Sequence, residues 1–580
     1  MSDTQAAQVT EQFELDMAMM LFNSATLPRR IDGIQHINHM VERTHQREAL
    51  LKHAMDSDDY DNVGAEWMNY EYLSNWLLNN KIVHRLYGEQ SHVQLASRGD
   101  EILKFLASRG LLTKVHLDLL WNHTKGKHEA DVSSIYSTIV RMSSHLKEDQ
   151  VEYLFKQLQT IPYKKIGALE LKLVHELTRY PDYKTSTTAV NTLGVAYLWN
   201  IAQDENGVET GVVLQAVEKL ILLMQKPRSK ALRKLYLKAC MTNLKMGKSV
   251  LQSLRIARGI LGIMTARQSK EVTHAVIDEM EAQQNILESS LKELKTYCDL
   301  SCKAVKESKE LDAANVDIGA EVLVGKYCHE MQLKCRLKFL AYILTNSSLK
   351  LEKPDVLLVW ECIVKNAPSP RIRDQCLDWI KALDANLAFT PKALIVLFES
   401  IASSLDLKRL TMPGLMCFCD YFLRVNNAKG LVDVDQKDHE AFLVQTTKPL
   451  EGVTRLWDIC LRAEDENVFT KACKFLIDLH QNLTPSLLMQ VAYVREGFVA
   501  TCMGSIKTAA YALGLNRWKP DSAPEPREPV SLTPTSFRTT GSPATTLNFE
   551  LAVGKMLSKA EAEAHCNAIL RCLRLLDHFR

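Results

Sequence analysis

Apolar residues recur at helical spacing along almost the whole chain, and this periodicity limits the possible folds more than any other feature. Leu73, Trp76 and Leu77 occupy positions i, i+3 and i+4, which lie on one face of an α-helix. The same pattern continues for about three turns from Phe469 to Leu479. No stretch of strict two-residue alternation is long enough to indicate a sheet. The sequence therefore predicts an all-α fold.

The scarcity of turn-forming residues supports this prediction. The 580 residues include Gly 23 and Pro 17, or about 7%, where roughly 12% is typical. An all-β sandwich needs a turn signal every 8–12 residues or so, which this chain cannot supply. Because 46% of the residues are hydrophobic, the chain has enough apolar surface to exclude disorder over most of its length.

Two segments repeat one another. GVAYLWNIAQDEN (194–206), the first Leu-Trp segment, and GVTRLWDICLRAEDEN (452–467), the second, share Gly, Val, Leu, Trp and Ile in register and then Asp-Glu-Asn. Weaker copies end at Trp121 and Trp360. We interpret each copy as a helix hairpin whose Leu-Trp pair fills the junction with its neighbour, because stacked hairpins bury the face that one hairpin leaves open. Chance recurrence in a leucine-rich helical chain is the alternative.

This repetition predicts an armadillo/HEAT-like α-solenoid, a superhelix of stacked helix hairpins, over residues 27–518, with about 40–47 residues per unit. Its structural repeat positions are Trp121, Trp199, Trp360 and Trp457. We expect a lead helix over 1–26 and a disordered Pro/Ser/Thr-rich linker over 519–547. A C-terminal helix should follow over 548–580, cut off because it ends without a Gly, Asn or Pro stop signal.

The sequence offers little for catalysis or metal binding. It lacks GxSxG and HExxH, and Gly247-Lys248-Ser249 resembles a P-loop end in which Thr242 replaces the required glycine. Its cysteines and histidines do not form the paired spacing of a zinc cage. We therefore predict no catalytic residue, no metal site and no cofactor. All 14 cysteines follow residue 239, and no signal peptide or membrane span is evident, which indicates a cytoplasmic protein, with the nucleus as a second expected location.

Positive charge is concentrated in one block, although the formal net charge is only +2. Residues 219–270 contain 13 Lys and Arg and no Asp or Glu. Such a block on a solenoid can bind an acidic peptide, an acidic domain or an anionic lipid. The alternative is a solvated face partly neutralised by the acidic residues that follow. Nucleic acid is disfavoured, because no aromatic side chains are interleaved for stacking. The candidate partner-binding residues are Lys230, Arg233, Lys234, Lys238, Lys245, Arg255 and Arg258.

The stretch 73–162 resembles the armadillo-type region of the very large fat-facets-type ubiquitin-specific proteases, which are ubiquitin carboxyl-terminal hydrolases. Both Leu-Trp segments resemble the same region, and the resemblance covers about 27–518. The shared elements in the first stretch are NKIV (80–83), LYG followed by HV (86–93), EILKFL (101–106), HLDLLW (116–121), GKHEA (126–130) and YLF (153–155).

The resemblance implies a role in deubiquitination without catalysis by this chain. Such enzymes carry a cysteine protease domain with an Asn-x-Gly-x-Thr-Cys-Tyr box and a Gly-His-Tyr box, and this chain contains neither. In that family the helical region lies outside the protease domain and is similar to scaffolds that recruit substrates. We therefore expect a scaffold or substrate-recruitment region whose partners are ubiquitinated proteins. The alternative is a free-standing armadillo-type adaptor that binds acidic proteins through the basic block. No oligomeric state is predicted.

Overall fold

The structure is a computed structural model. It describes residues 3–57, 67–88, 91–179, 188–307, 318–435, 441–515 and 558–579. Helices account for nearly all of the secondary structure in these ranges, and the chain divides into two compact units, Met1–Ala266 and Arg267–Arg580. The predicted all-α solenoid is confirmed.

The first unit consists of helices that pack against near neighbours in the chain. Its described helices are α1 (Asp3–Phe22), α2 (Leu27–Ser57), α3 (Tyr70–Asn79), α4 (Ile82–Tyr87), α5 (Val93–Ala96), α6 (Asp100–Ser108), α7 (Lys114–His123), α8 (Glu129–Met142), α9 (Glu148–Gln159), α10 (Ala168–Arg179), α11 (Thr188–Ile201), α12 (Thr210–Met224), α13 (Lys230–Met246) and α14 (Val250–Thr265). Helix α10 contacts α8, α11 and α12, and α14 contacts α12 and α13. Contact limited to neighbouring helices is the packing of a solenoid.

The second unit follows the same local rule. Its described helices are α15 (Lys270–Gln284), α16 (Ile286–Glu307), α17 (His329–Thr345), α18 (Lys353–Trp360), α19 (Pro370–Ala382), α20 (Ala385–Ala388), α21 (Pro391–Ser404), α22 (Met412–Ala428), α23 (Val453–Arg462), α24 (Glu466–Gln481), α25 (Pro485–Leu488), α26 (Val491–Ala512) and α27 (Lys559–His578). A π-helical turn, Glu361–Lys365, joins α18 to the loop before α19. Helix α18 contacts α16 and α21, and α22 contacts α19, α21 and α24.

Local sequence explains where these helices begin. Ser369 precedes Pro370, and its hydroxyl accepts a hydrogen bond from the Ile372 amide at 3.3 Å at the start of α19. Thr390 does the same for the Ala393 amide ahead of Pro391 and α21. An oxygen-bearing cap followed by proline satisfies a free amide and presets the helical φ. The breaks in the sequence pattern are therefore helix starts.

A short antiparallel hairpin is the exception to the helical pattern. Strand β1 (Val432–Val434) pairs with β2 (Phe442–Val444), with Val432 opposite Val444 and Val434 opposite Phe442. Each strand has three residues, so two-residue alternation cannot be recognised against a helical background. This hairpin was not predicted from the sequence.

The two ends of the described chain are helical. Helix α1 lies within the expected lead segment, and α27 begins with a capping box in which Ser558 and Glu561 exchange hydrogen bonds. The linker expected over 519–547 lies outside the described residues. Among the helices that the structure describes, none is long and apolar enough to cross a membrane.

Candidate protein-binding surface

The predicted basic residues lie on two adjacent helices of the first unit. Lys230, Lys234, Lys238 and Lys245 are exposed on α13. The first three follow at intervals of four residues, which places them along one face of the helix. The opposite face of α13 buries a continuous apolar stripe, which contains Leu232, Tyr236, Leu237, Cys240, Met241 and Leu244. Burial of this stripe holds the four lysines, which we call the lysine face, towards solvent.

The lysine face carries positive charge that has no ion-pair partner among the described residues. Within the described part of the chain, none of its four lysines forms a salt bridge. Leu235, at 57% exposure, lies on the same helix beside Lys234. The surface therefore combines unpaired positive charge with an exposed apolar side chain, a combination that suits an acidic segment with an apolar anchor.

The three predicted arginines are less available. Arg233 is half-buried and donates a hydrogen bond to the backbone oxygen of Lys226 at 3.1 Å. Arg255 is half-buried on α14, and its Nη2 lies 3.7 Å from Oε1 of Glu218 on α12. Arg258 is also half-buried. The structure thus brings the lysines together on one face and assigns Arg233 and Arg255 to internal contacts.

Polar contacts hold the corner between α13 and α14. Gly247 ends α13 in a left-handed conformation with φ of 66°, which glycine adopts without strain. The Ser249 hydroxyl accepts a hydrogen bond from the Asp204 amide at 2.9 Å and donates one to Glu205 at 3.0 Å. Gln252, on the first turn of α14, donates to Asp204 Oδ1 at 2.7 Å. The P-loop-like residues are therefore a helix corner that acidic side chains occupy.

The first Leu-Trp segment supplies this support. Its Trp199 packs against Tyr236 of α13, with ring centroids 5.1 Å apart. Burial raises the pKa of Tyr236, so its ring is a neutral packing surface. Gln203, directly before the Asp-Glu-Asn triplet, accepts a hydrogen bond from Asn243 at 2.9 Å. The segment thus positions the helix that carries the lysine face.

The other three predicted repeat tryptophans also contact an element that follows them in the chain. Trp457 packs against Phe498 of α26 at 5.3 Å, and Trp360 donates a hydrogen bond to Ser404 at the end of α21. Together with Trp199, these contacts reach about 40 residues along the chain, close to one armadillo unit. Trp121 instead stacks on Tyr136 of the next helix, α8. The role of all four as repeat positions stays a prediction.

Chemistry beyond binding is sparse in the described chain. Within it, no group of three or more His, Cys, Asp and Glu side chains is arranged to hold a metal ion. The contacts that shape the surface were not predicted from the sequence, because Ser249 lies 45 residues after Asp204 and 44 after Glu205. The Asp-Glu-Asn triplet that follows the Leu-Trp pair in both segments was the available signal.

Comparison with known proteins identifies the family. Probable ubiquitin carboxyl-terminal hydrolase FAF of Drosophila melanogaster is 24% identical over 517 residues, which are 86% of this chain and 18% of the relative. Ubiquitin carboxyl-terminal hydrolase 9X of Mus musculus is 23% identical over 521 residues, with coverage of 86% and 19%. Ubiquitin carboxyl-terminal hydrolase 24 of Homo sapiens is 22% identical over 532 residues, with coverage of 87% and 19%.

The chain therefore spans less than a fifth of the length of these curated relatives. A solved structure from "A conserved phosphorylation switch controls the interaction between cadherin and beta-catenin in vitro and in vivo" aligns over 85% of this chain and 96% of its own, at 10% identity and a TM-score of 0.23. The family model described as UBP24/USP9X/USP9Y ARM repeat matches residues 8–426. Since this match covers most of the chain, the protein belongs to the UBP24/USP9X/USP9Y ARM repeat family.

Proposed function

We propose that this chain is the non-catalytic, substrate-recruiting scaffold region of a ubiquitin-specific cysteine protease. The observation that carries the proposal is the family match over residues 8–426, combined with relatives that are named ubiquitin carboxyl-terminal hydrolases and are about five times longer. A stack of helix hairpins provides an extended surface for protein binding. The protease domain would lie elsewhere in the longer protein, and this region would hold ubiquitinated proteins near it.

The first test follows the coding sequence beyond Arg580. We expect full-length transcripts to continue in frame into a segment with a cysteine box and a histidine box. A stop codon directly after Arg580 in every full-length transcript would contradict the proposal.

The second test separates recruitment from catalysis in that longer protein. Deletion of residues 1–580 should leave the hydrolysis of ubiquitin–aminomethylcoumarin unchanged, because that small substrate needs only the protease domain. The same deletion should slow the removal of ubiquitin from protein substrates. An equal loss of activity on both substrates would mean that residues 1–580 stabilise the protease domain and do not recruit substrates. The isolated 580-residue chain should release no aminomethylcoumarin, and measured release would overturn its assignment as non-catalytic.

A second candidate function is a free-standing adaptor for acidic proteins, and the lysine face favours it. The lysines project from one side of α13 and lack salt bridges within the described residues. An acidic segment bound there would gain electrostatic attraction that weakens as salt is added. This function does not need a protease domain, so the transcript test also separates the two candidates.

Charge reversal tests the lysine face directly. The variant Lys230→Glu/Lys234→Glu/Lys238→Glu changes only exposed side chains, whereas Arg233 is excluded because its guanidinium bonds to the backbone. We expect at least tenfold weaker binding of a fluorescent acidic peptide at low ionic strength. The matched control, Lys125→Glu/Lys127→Glu/Lys165→Glu, makes the same charge change at exposed lysines elsewhere in the first unit. Equally weakened peptide binding in both variants would show that binding depends on the net charge of the chain and not on the lysine face.

A further inference from the structure

An apolar groove lies between helices α17 and α19 of the second unit. Its volume is about 370 Å³, within the roughly 300–1,000 Å³ that is typical of pockets that bind ligands. The apolar side chains that line it are Leu333 and Leu337 of α17 and Cys376 and Trp379 of α19. The groove can therefore accept a bulky apolar side chain.

Two contacts hold α17 and α19 side by side. Nη2 of Arg371, at the start of α19, lies 3.6 Å from Oε2 of Glu330, at the start of α17. Further along, the Trp379 indole donates a hydrogen bond to the backbone oxygen of Leu337 at 3.1 Å. The first contact joins the two helix starts, and the second joins positions about two turns later in both helices, so the helices run in the same direction. The groove is the space that remains between them.

Packing fixes the floor of the groove. Leu333 and Leu337 are each 6% exposed, and Cys376 is 1% exposed. Trp379 is half-buried, and its hydrogen bond to α17 sets the orientation of the indole ring. A floor that is already ordered binds a side chain without the cost of ordering its own residues. Tryptophan is also among the residues that contribute most to binding at protein interfaces.

Charges on the rim favour acidic residues beside that apolar side chain. Lys334 and Lys338 lie one turn apart on the α17 edge and are exposed, and neither forms a salt bridge within the described residues. Asp378 is exposed on the α19 edge. The carboxylate of Glu330 is already paired with Arg371. The rim therefore presents two lysines against the carboxylate of Asp378, and its positive side is α17.

We infer that this groove, which we call the Trp379 groove, binds an acidic peptide segment of a partner protein through one large apolar side chain. That side chain packs on Trp379 and the two leucines, and flanking Asp or Glu residues lie against Lys334 and Lys338. A basic segment would be repelled by the same lysines. The inference rests on the proposed scaffold function, in which the groove is one site of substrate recruitment.

Peptide display tests the inference with peptides of random sequence. A library of short peptides is first depleted on the variant Gln375→Trp and then selected on the wild-type 580-residue chain. Gln375 is exposed and lines the groove, so the larger side chain should block the groove while the fold is retained. We expect the selected peptides to combine a Leu, Ile, Phe or Trp with neighbouring Asp and Glu. Depletion on this variant also removes peptides that bind the lysine face.

Fluorescence anisotropy of one selected peptide then measures affinity. Lys334→Glu/Lys338→Glu should weaken binding about tenfold, because repulsion replaces attraction. The control Lys353→Glu/Lys365→Glu makes the same charge change at exposed lysines of the second unit that do not line the groove, and should change the affinity less than about twofold. Asp378→Asn should strengthen binding about twofold, because it removes a carboxylate that repels the peptide. Serine in place of the apolar residue of the peptide should abolish binding.

Other outcomes would overturn the inference. The absence of peptides that prefer the wild type over both Gln375→Trp and Lys334→Glu/Lys338→Glu would show that the groove binds no acidic peptide. Selected peptides without Asp or Glu would contradict the role of the two lysines. A wild-type dimer that Gln375→Trp dissociates would assign the groove to a second copy of this chain. Transcripts that end at Arg580 would contradict the scaffold function but not peptide binding, because the selection uses the isolated chain.

Discussion

In the first Leu-Trp segment the shared glycine lies inside helix α11, whereas in the second it precedes helix α23. A Cβ on Gly194 would lie 1.8 Å from the hydroxyl oxygen of Thr178, so this glycine allows two helices to approach closely. Gly452 has φ of 83° and also lies against Phe398, 2.4 Å from where a Cβ would be. Gly194 is needed because a Cβ would clash with a neighbouring side chain. Gly452 is needed for the same reason and also because its backbone is left-handed, a conformation that glycine adopts without strain.

Trp199 and Trp457 have the same role in packing but differ in how deeply they are buried. Trp199 is half-buried against Tyr236, and Trp457 is 3% exposed between Phe498 and His480. Each fills the junction between its own helix and a later one. Within the described residues, Nε1 of Trp457 has no hydrogen-bond partner. The second junction is thus drier and more tightly packed than the first.

The Asp-Glu-Asn triplets have diverged further. Asp204–Asn206 forms a 3-10 turn whose side chains reach the corner between α13 and α14. In the second segment, Asp465 caps α24 by accepting hydrogen bonds from the Asn467 and Val468 amides at 2.8 and 2.9 Å. The comparison indicates that the repeat preserves the helix junction while the polar loop is free to serve a local purpose.

Tryptophan truncation should show the largest difference between the two segments. Trp457→Ala removes a fully packed ring and should lower the free energy of unfolding by about 3–5 kcal/mol. Trp199→Ala should cost about 2 kcal/mol, because part of the ring already contacts solvent. Urea unfolding measures both, and Tyr493→Ala, at 44% exposure, is the control with a change near 0.5 kcal/mol. Equal losses at the two tryptophans would show that burial does not distinguish the junctions.

Alanine at the two glycines should come next. Gly452→Ala meets a left-handed backbone penalty of about 1–2 kcal/mol and a clash of about 1–3 kcal/mol. Gly194→Ala meets only the clash, offset by about 1 kcal/mol of helix propensity. Thermal unfolding should therefore shift more for Gly452→Ala.

A rescue experiment identifies the cause. Thr178→Ala should restore part of the stability of Gly194→Ala, because the hydroxyl that it removes is the nearest atom. Phe398→Leu should restore less in Gly452→Ala, since the positive φ remains. Full rescue at residue 452 would show that backbone conformation is unimportant there.

Acid should weaken the second junction at a specific residue. Burial lowers the pKa of His480 from 6.5 to about 4, so between these values the unfolded chain binds a proton that the folded chain does not. The stability that neutral His480 contributes is complete above pH 6.5. It falls as the pH drops towards 4, by about 2 kcal/mol at pH 5. The equivalent position after the first triplet is Lys219, which cannot produce this effect.

The measurement is the free energy of unfolding against pH. His480→Leu, which keeps an apolar volume in the junction, should reduce the slope between pH 6.5 and 4 by up to one proton. Gln481→Leu, which changes the exposed neighbour of His480 and removes no titratable group, should leave the slope unchanged. An unaltered slope in His480→Leu would show that His480 is not the residue that titrates.

Periodicity and repetition were sufficient to predict the fold class, since both are local properties of helices that stack on their neighbours. The family resemblance was confirmed by the match over residues 8–426. Counting charges in the sequence located the basic block but could not distinguish the exposed Lys234 from the ion-paired Arg255. The partner of Arg255 is Glu218, which lies on a different helix. That pairing depends on how α12 packs against α14.

Contacts between distant residues were the part that sequence alone could not supply. Leu337 and Trp379 are each recognisable as apolar positions of a helix, but no spacing rule reveals that the Trp379 indole donates a hydrogen bond to the backbone of Leu337. Likewise, the sequence excluded a P-loop at Ser249 but could not predict the hydrogen bonds that this residue forms with Asp204 and Glu205. Each miss concerns a side chain whose partner is set by tertiary packing.

The smallest expected effect concerns the two triplets, and it tests whether they now act in different places. Asp465→Ala removes a helix cap and should cost about 1 kcal/mol, whereas Asp465→Asn should cost a few tenths because Asn caps equally well. Asp204→Ala removes the acceptor for the buried Gln252 amide at a similar cost of about 1 kcal/mol. Hydrogen exchange distinguishes them by location. Asp465→Ala should speed exchange in the first turn of α24, and Asp204→Ala should speed it at the α13–α14 corner and along the lysine face. Faster exchange at the same site in both variants would mean that the triplets still share one role.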